Sequence, residues 1–148
     1  MDELIQTIVK QSNELKNKYI SSYDSTLGYC CIFAQNDEQY NDFENQVTKV
    51  GCLLLETRTG NIYKIDPIET VAGKLKALKI RRPDIARQEL GHCDFKINNY
   101  KKFKDEYLSK ANFKLIKRET FEMIELMDNE FNVRIYFPNE QYELLDKI

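Results

Sequence analysis

Apolar residues along this chain recur at two spacings, one near 3.6 and one of two, and the switch between them outlines the elements. Leu4, Ile5, Ile8, Val9, Leu15, Tyr19 and Ile20 form the apolar side of an imperfect amphipathic helix over residues 2–22. Tyr40, Phe43, Val47 and Val50 recur at i, i+3, i+7 and i+10 and predict a second helix, capped by Asn36 or Asp37 and ended by Gly51. Tyr100, Phe103, Tyr107 and Leu108 recur at i, i+3, i+7 and i+8 and predict a third. Strand-like segments follow each of the last two. They are CLLLET (52–57), GNIYKI (60–65) and KLKALKI (74–80), then FKLIKRE (113–119), FEMIEL (121–126) and NVRIYF (132–137). Thr59-Gly60, Asp66-Pro67, Gly73 and Asp128-Asn129 supply turn chemistry between them. RRPDIARQE (81–89), with Pro83 and many charges, reads as a linker, and DPIETVAG (66–73) as an insertion before the fourth strand of the first half.

The two halves repeat. LGYCCIFAQN (27–36) and LGHCDFKINN (90–99) share Leu27/Leu90, Gly28/Gly91, Cys30/Cys93 and Asn36/Asn99 at a constant offset of 63. Four identities in ten are too few alone, but the flanks agree, since each segment leads into a helix and then three strands. Each half therefore reads β-α-β-β-β. The expected organisation is an N-terminal helix (1–24), a first module (25–82) and a second module (83–148), packed as one compact α+β domain.

Composition narrows the function classes. The chain has 148 residues, 42% of them hydrophobic, with nine tyrosines and eight phenylalanines, enough for a real core. A net charge of −2 with both signs abundant gives no general case for nucleic acid or an anionic membrane. No apolar run approaches the roughly 20 residues of a membrane span. Asp2 and Glu3 stand where a secretory signal would carry basic residues, so a cytoplasmic protein is expected. Cys30, Cys31, Cys52 and Cys93 form no C-x-x-C pair and sit among apolar residues, as reduced buried thiols do. Cys30 and Cys31 point to opposite faces of a strand. No nucleophile constellation or phosphate-cradling glycine loop is visible. The basic runs KALKIRRPD and NNYKKFKDEY read as solvated faces.

Paired βαβββ modules resemble the vicinal oxygen chelate superfamily, which holds glyoxalase I, extradiol dioxygenases, methylmalonyl-CoA epimerase and the bleomycin-resistance proteins. The resemblance covers roughly residues 27–137. LGHCDFKI is similar to the Gly-His opening of a second module, and LMDNEFNVRIYF is similar in part to the module ending. The resemblance implies two modules forming a curved mixed sheet, helices on its outer face and a site in its concave face. Metal-dependent members take His or Glu ligands from the first and fourth strands. His92 matches the first-strand position of module two, whereas Tyr29 stands at the matching position of module one. KLKALKIR and NVRIYF hold no Asp, Glu, His or Cys. One imidazole and a phenol make a poor divalent site, although His92, Asp94 and Glu125 could build an unusual one.

Strand alternation selects the cavity side independently of any family. Cys93, Phe95 and Ile97, with Val133, Ile135, Phe137, Ile124 and Leu126, belong under the helices. Tyr29, Cys31, Phe33, His92, Asp94, Lys96, Met123, Glu125, Arg134 and Tyr136 then face the open side. Tyr29, His92, Asp94, Glu125, Arg134 and Tyr136 form the candidate ligand-binding set, and Arg134 suggests an anionic ligand. His92 and Asp94, two apart on a strand, could hydrogen-bond if their side chains lean together. The expected function is metal-independent binding of a small molecule, with no cofactor. The alternatives are a divalent-metal lyase, isomerase or dioxygenase, and an interaction module whose cleft is buried in a homodimer.

Overall fold

A computed structural model describes residues 1–20, 23–140 and 142–148. The elements are α1 (Asp2–Tyr19), β1 (Ser25–Phe33), α2 (Asp37–Val50), β2 (Gly51–Thr57), β3 (Gly60–Thr70), β4 (Gly73–Arg81), β5 (Gly91–Ile97), α3 (Tyr100–Tyr107), β6 (Phe113–Lys117), β7 (Glu122–Leu126) and β8 (Val133–Pro138). A 3₁₀ turn, Glu143–Leu145, follows. The strands form one eight-stranded sheet in the order β2-β3-β4-β1-β5-β8-β7-β6. β1 runs parallel to β4 and β5 parallel to β8, while β1 and β5 pair antiparallel. The two βαβββ modules therefore join through their first strands into a single mixed sheet, as the vicinal oxygen chelate resemblance implies.

The four identities of the repeat have different physical reasons. Asn36 and Asn99 are helix caps, their side chains accepting from the backbone N–H of Gln39 and Lys102. Asn99 adopts φ 55°, which asparagine tolerates better than most residues. Gly28 lies at a register shift between Leu27 and Tyr29. Gly91 lies where β5 meets β1 too closely for a side chain. Cys30 and Cys93 are register partners, both fully buried.

One core lies between the sheet and all three helices. Phe95, Phe103 and Phe137 fill its second-module half, with Phe103 and Phe137 ring centroids 4.9 Å apart. The N-terminal helix α1 packs on the sheet. Ile5, Ile8, Val9 and Leu15 are fully buried in the same core. The polar side of α1 then straps the modules together. Gln6 donates to the Glu69 carbonyl at 2.9 Å, and Lys18 and Tyr19 donate to the Asp128 carboxylate at 2.8 and 2.6 Å. No helix among the described residues is long and apolar enough to cross a membrane.

Three expectations need correction. Residues 66–73 are not an insertion. They extend the β3–β4 hairpin, with a register shift between Lys64 and Ile68 that places Pro67 where no paired N–H is required. Gly51 ends α2 as expected, its N–H donating to the Val47 carbonyl, in extended backbone with φ −139°. A Cβ there would lie 2.5 Å from the Lys64 carbonyl oxygen, so close strand approach is the reason for glycine. Val50, the last residue of α2, is exposed. Cys52 is exposed on the edge strand β2, unlike the other three cysteines.

Candidate functional site

The face opposite the helices holds the cavity, and sheet register decides what reaches it. One row across the sheet reads Lys79, Cys31, His92, Arg134 on β4, β1, β5 and β8. The next reads Tyr29, Asp94, Tyr136, Glu125 on β1, β5, β8 and β7. All six sequence-predicted residues therefore stand on the expected face, within two adjacent rows. A cavity of about 650 Å³ opens on this face. Tyr29, His92, Asp94 and Tyr136 line it, and so does Met123.

Arg134 and Glu125 do not line it. The Arg134 guanidinium donates to Glu89 Oε1 at 2.6 Å and to the Ala86 carbonyl at 2.7 Å, and lies 3.5 Å from Glu125 Oε2. The Tyr136 hydroxyl donates to the same Glu125 oxygen at 2.8 Å. The segment 82–90 thus folds over the end of β8 and consumes Arg134, which removes it as the contact for an anionic ligand. Burial, then Glu125, pushes the Tyr136 phenol up to about 12. The phenol therefore remains a donor at neutral pH.

His92 stands in an aromatic box, its ring centroid 4.9 Å from Tyr136 and 5.6 Å from both Tyr29 and Phe33. The strand pair leans together, since His92 Nδ1 and Asp94 Oδ1 are 3.1 Å apart. The approach is off the line of a hydrogen bond, so both atoms are left buried with no hydrogen-bond partner. Burial disfavours the charged ring, but the Cys31 sulfur and the Asp94 carboxylate outweigh it and raise the imidazole to about 9. Because the folded value exceeds the unfolded one of 6.5, the pair stabilises the fold fully below pH 6.5 and loses that contribution as pH rises through 9. His92 is the chain's single histidine. It is expected to give one imidazole titration in proton NMR with a midpoint near 9, moved downward in Asp94→Asn. A wild-type midpoint at or below 6.5 would show that the ring is not held as a cation.

Sequence reasoning missed the basic half of the site. Lys79 and Arg81 of β4 and Arg87 of the linker line the cavity, with Arg58 and Arg118 at its exposed rim. Lys79 is 5% exposed and donates to Thr59 Oγ1 at 2.7 Å. Burial lowers its pKa, and lowers that of Arg81. The signal was present in the alternation of KLKALKIR. Leu78 and Ile80 face the core, so Lys79 and Arg81 must face the cavity. Nothing local showed that this side is enclosed. The C-terminal segment was also unread, and its Tyr142 and Leu145 close the Tyr29 end.

The donor set does not suit a divalent ion. The cavity side of the fourth strands carries Ala77, Lys79, Arg81 and Tyr136, and an ammonium there repels a metal cation. Glu125, the carboxylate of an unusual site, is occupied by Tyr136 and Arg134. Among the described residues no three His, Cys, Asp or Glu side chains converge to hold a metal.

No protein-family model and no curated protein matches the sequence. Among solved structures, a structural-genomics protein, EC4020, is similar with a TM-score of 0.71 at 15% identity, over 99% of this chain and 89% of that one. The hypothetical protein BH1468 from Bacillus halodurans C-125 is similar with a TM-score of 0.48 at 12% identity, over 81% and 99%. An extradiol ring-cleaving dioxygenase from B. fuscum gives 0.46 at 11% identity, over 81% of this chain and 34% of that one. The first likeness shows that the fold is shared, and the other two are too distant to carry chemistry to this chain.

Proposed function

We propose that this chain binds a small molecule in the cavity without a metal ion. The observation that supports the reading best is the pair of buried polar atoms, His92 Nδ1 and Asp94 Oδ1, charge-paired but without a hydrogen bond on the wall of a 650 Å³ cavity. An unmet buried donor or acceptor costs about 1–3 kcal/mol. A ligand that supplies the missing partners recovers that energy, and the rings of Tyr29, Tyr136 and Tyr142 offer apolar surface for its body.

A thermal-shift screen of metabolites tests the proposal. A true ligand at about 100 times its Kd stabilises by roughly 2.7 kcal/mol, a rise of about 5–10 °C for a chain of this size. His92→Gln and Asp94→Asn should each shrink the rise, and Mn²⁺, Fe²⁺ or Zn²⁺ alone should produce none. Hits whose shifts are indifferent to both substitutions, or a clear stabilisation by one of these ions, would sink the reading.

A further inference from the structure

We infer that the ligand of this cavity is an organic oxyanion whose charged group is held by Lys79, Arg81 and Arg87, which rests on the cavity being a binding site. The three cations are poorly compensated. Lys79 makes no ion pair among the described residues, and its one hydrogen bond is to the neutral Thr59 hydroxyl. Arg81 Nε is buried with no hydrogen-bond partner. Among the described residues the acid nearest to either guanidinium is Asp84, and a single oxygen of it serves both, 3.4 Å from Arg81 Nη2 and 3.6 Å from Arg87 Nε. Arg87 also donates to the Tyr136 hydroxyl at 2.8 Å, which aims it along the cavity wall. Asp94, the remaining carboxylate deep in the cavity, is balanced in charge by His92 3.1 Å away, although neither atom makes a hydrogen bond there.

Among the described residues Asp84 is the one acid within 4 Å of these three cations; Glu119 and Glu140 stand exposed at the rim, and the deep end of the pocket is left positive in a chain whose net charge is −2. Buried cations without counter-ions are costly, and a bound oxyanion supplies the missing charge together with acceptors for Lys79 Nζ and Arg81 Nε. Carboxylate and phosphate share this chemistry, and the tyrosine walls suit a ligand with an apolar body. The anionic class read from Arg134 thus returns on other residues.

The test uses the full chain and three probes at matched ionic strength: phenyl phosphate, benzoate and the neutral benzamide. Calorimetry should show saturable binding of one or both anions and at least ten-fold weaker binding of benzamide. The preferred anion identifies the head group. Lys79→Met and Arg87→Gln should each weaken the anions at least ten-fold, while Lys10→Gln, on the outer surface of α1, leaves them unchanged. Lys79→Met should melt no lower than wild type without ligand, because it removes an uncompensated charge; this separates lost binding from lost folding. Benzamide binding as well as the anions overturns the inference and leaves the cavity reading intact. Anion binding that survives both cavity substitutions also overturns it. If none of the probes binds, both readings fall.

Discussion

Gly91→Ala is expected to cost more than about 3 kcal/mol of stability, because its clash is with main chain rather than with a side chain that could turn away. A Cβ on Gly91 would lie 2.0 Å from the Cys31 carbonyl oxygen and 2.9 Å from Ile8 Cδ1. The Cys31 carbonyl belongs to the β1–β5 ladder, where Gly91 opposes Ile32 and His92 opposes Cys31. Relief requires the two modules to part along the β1–β5 seam that joins them, beneath α1. In urea denaturation the variant should lose cooperativity or shift its midpoint strongly downward. A stability within 1 kcal/mol of wild type would mean that the seam yields far more easily than close packing allows.

The second large effect is at Arg134. Its ion-pair partners, Glu89 and Glu125, have side chains only 17% and 8% exposed, and the Arg134 side chain is 13% exposed. Arg134→Ala leaves two enclosed carboxylates without a cation, which costs about 3 kcal/mol by the behaviour of broken buried pairs. Combining Arg134→Met with Glu125→Gln should recover part of the loss, since no unpaired charge then remains at the centre of the cluster. Affinity of the cavity for the anionic probes should stay within two-fold. A variant that keeps wild-type stability yet no longer binds them would move Arg134 back among the ligand contacts and overturn its structural role.

These two residues mark how far the site was legible. Gly91 and His92 stood out because a repeat of ten residues has a readable register, and alternation then placed His92 and Asp94 on one side of the sheet. Tyr29, Tyr136, Glu125 and Arg134 were placed on that side by the same rule, and the structure puts all of them there. The rule says which face a side chain leaves from, and nothing about what lies above it. Arg134 is taken by Glu89, 45 residues away in the chain. Lys79 and Arg81 belonged to a run that looks solvated in isolation. They are enclosed because the 82–90 segment and the C-terminal Tyr142 and Leu145 close over the same face.

The sequence by itself determined the three helices, the βαβββ order of each half and the parity of β1, β5, β7 and β8. Those properties follow from backbone geometry, whose periods of 3.6 and two are written locally. Only the tertiary structure decided that β1 and β5 join the modules into one sheet, that α1 straps both, and which ionisable groups share a cavity. Charge, burial and hydrogen-bond partners depend on neighbours brought together from distant parts of the chain. For that reason the basic end of the pocket, Lys79, Arg81 and Arg87, emerges only in the folded molecule.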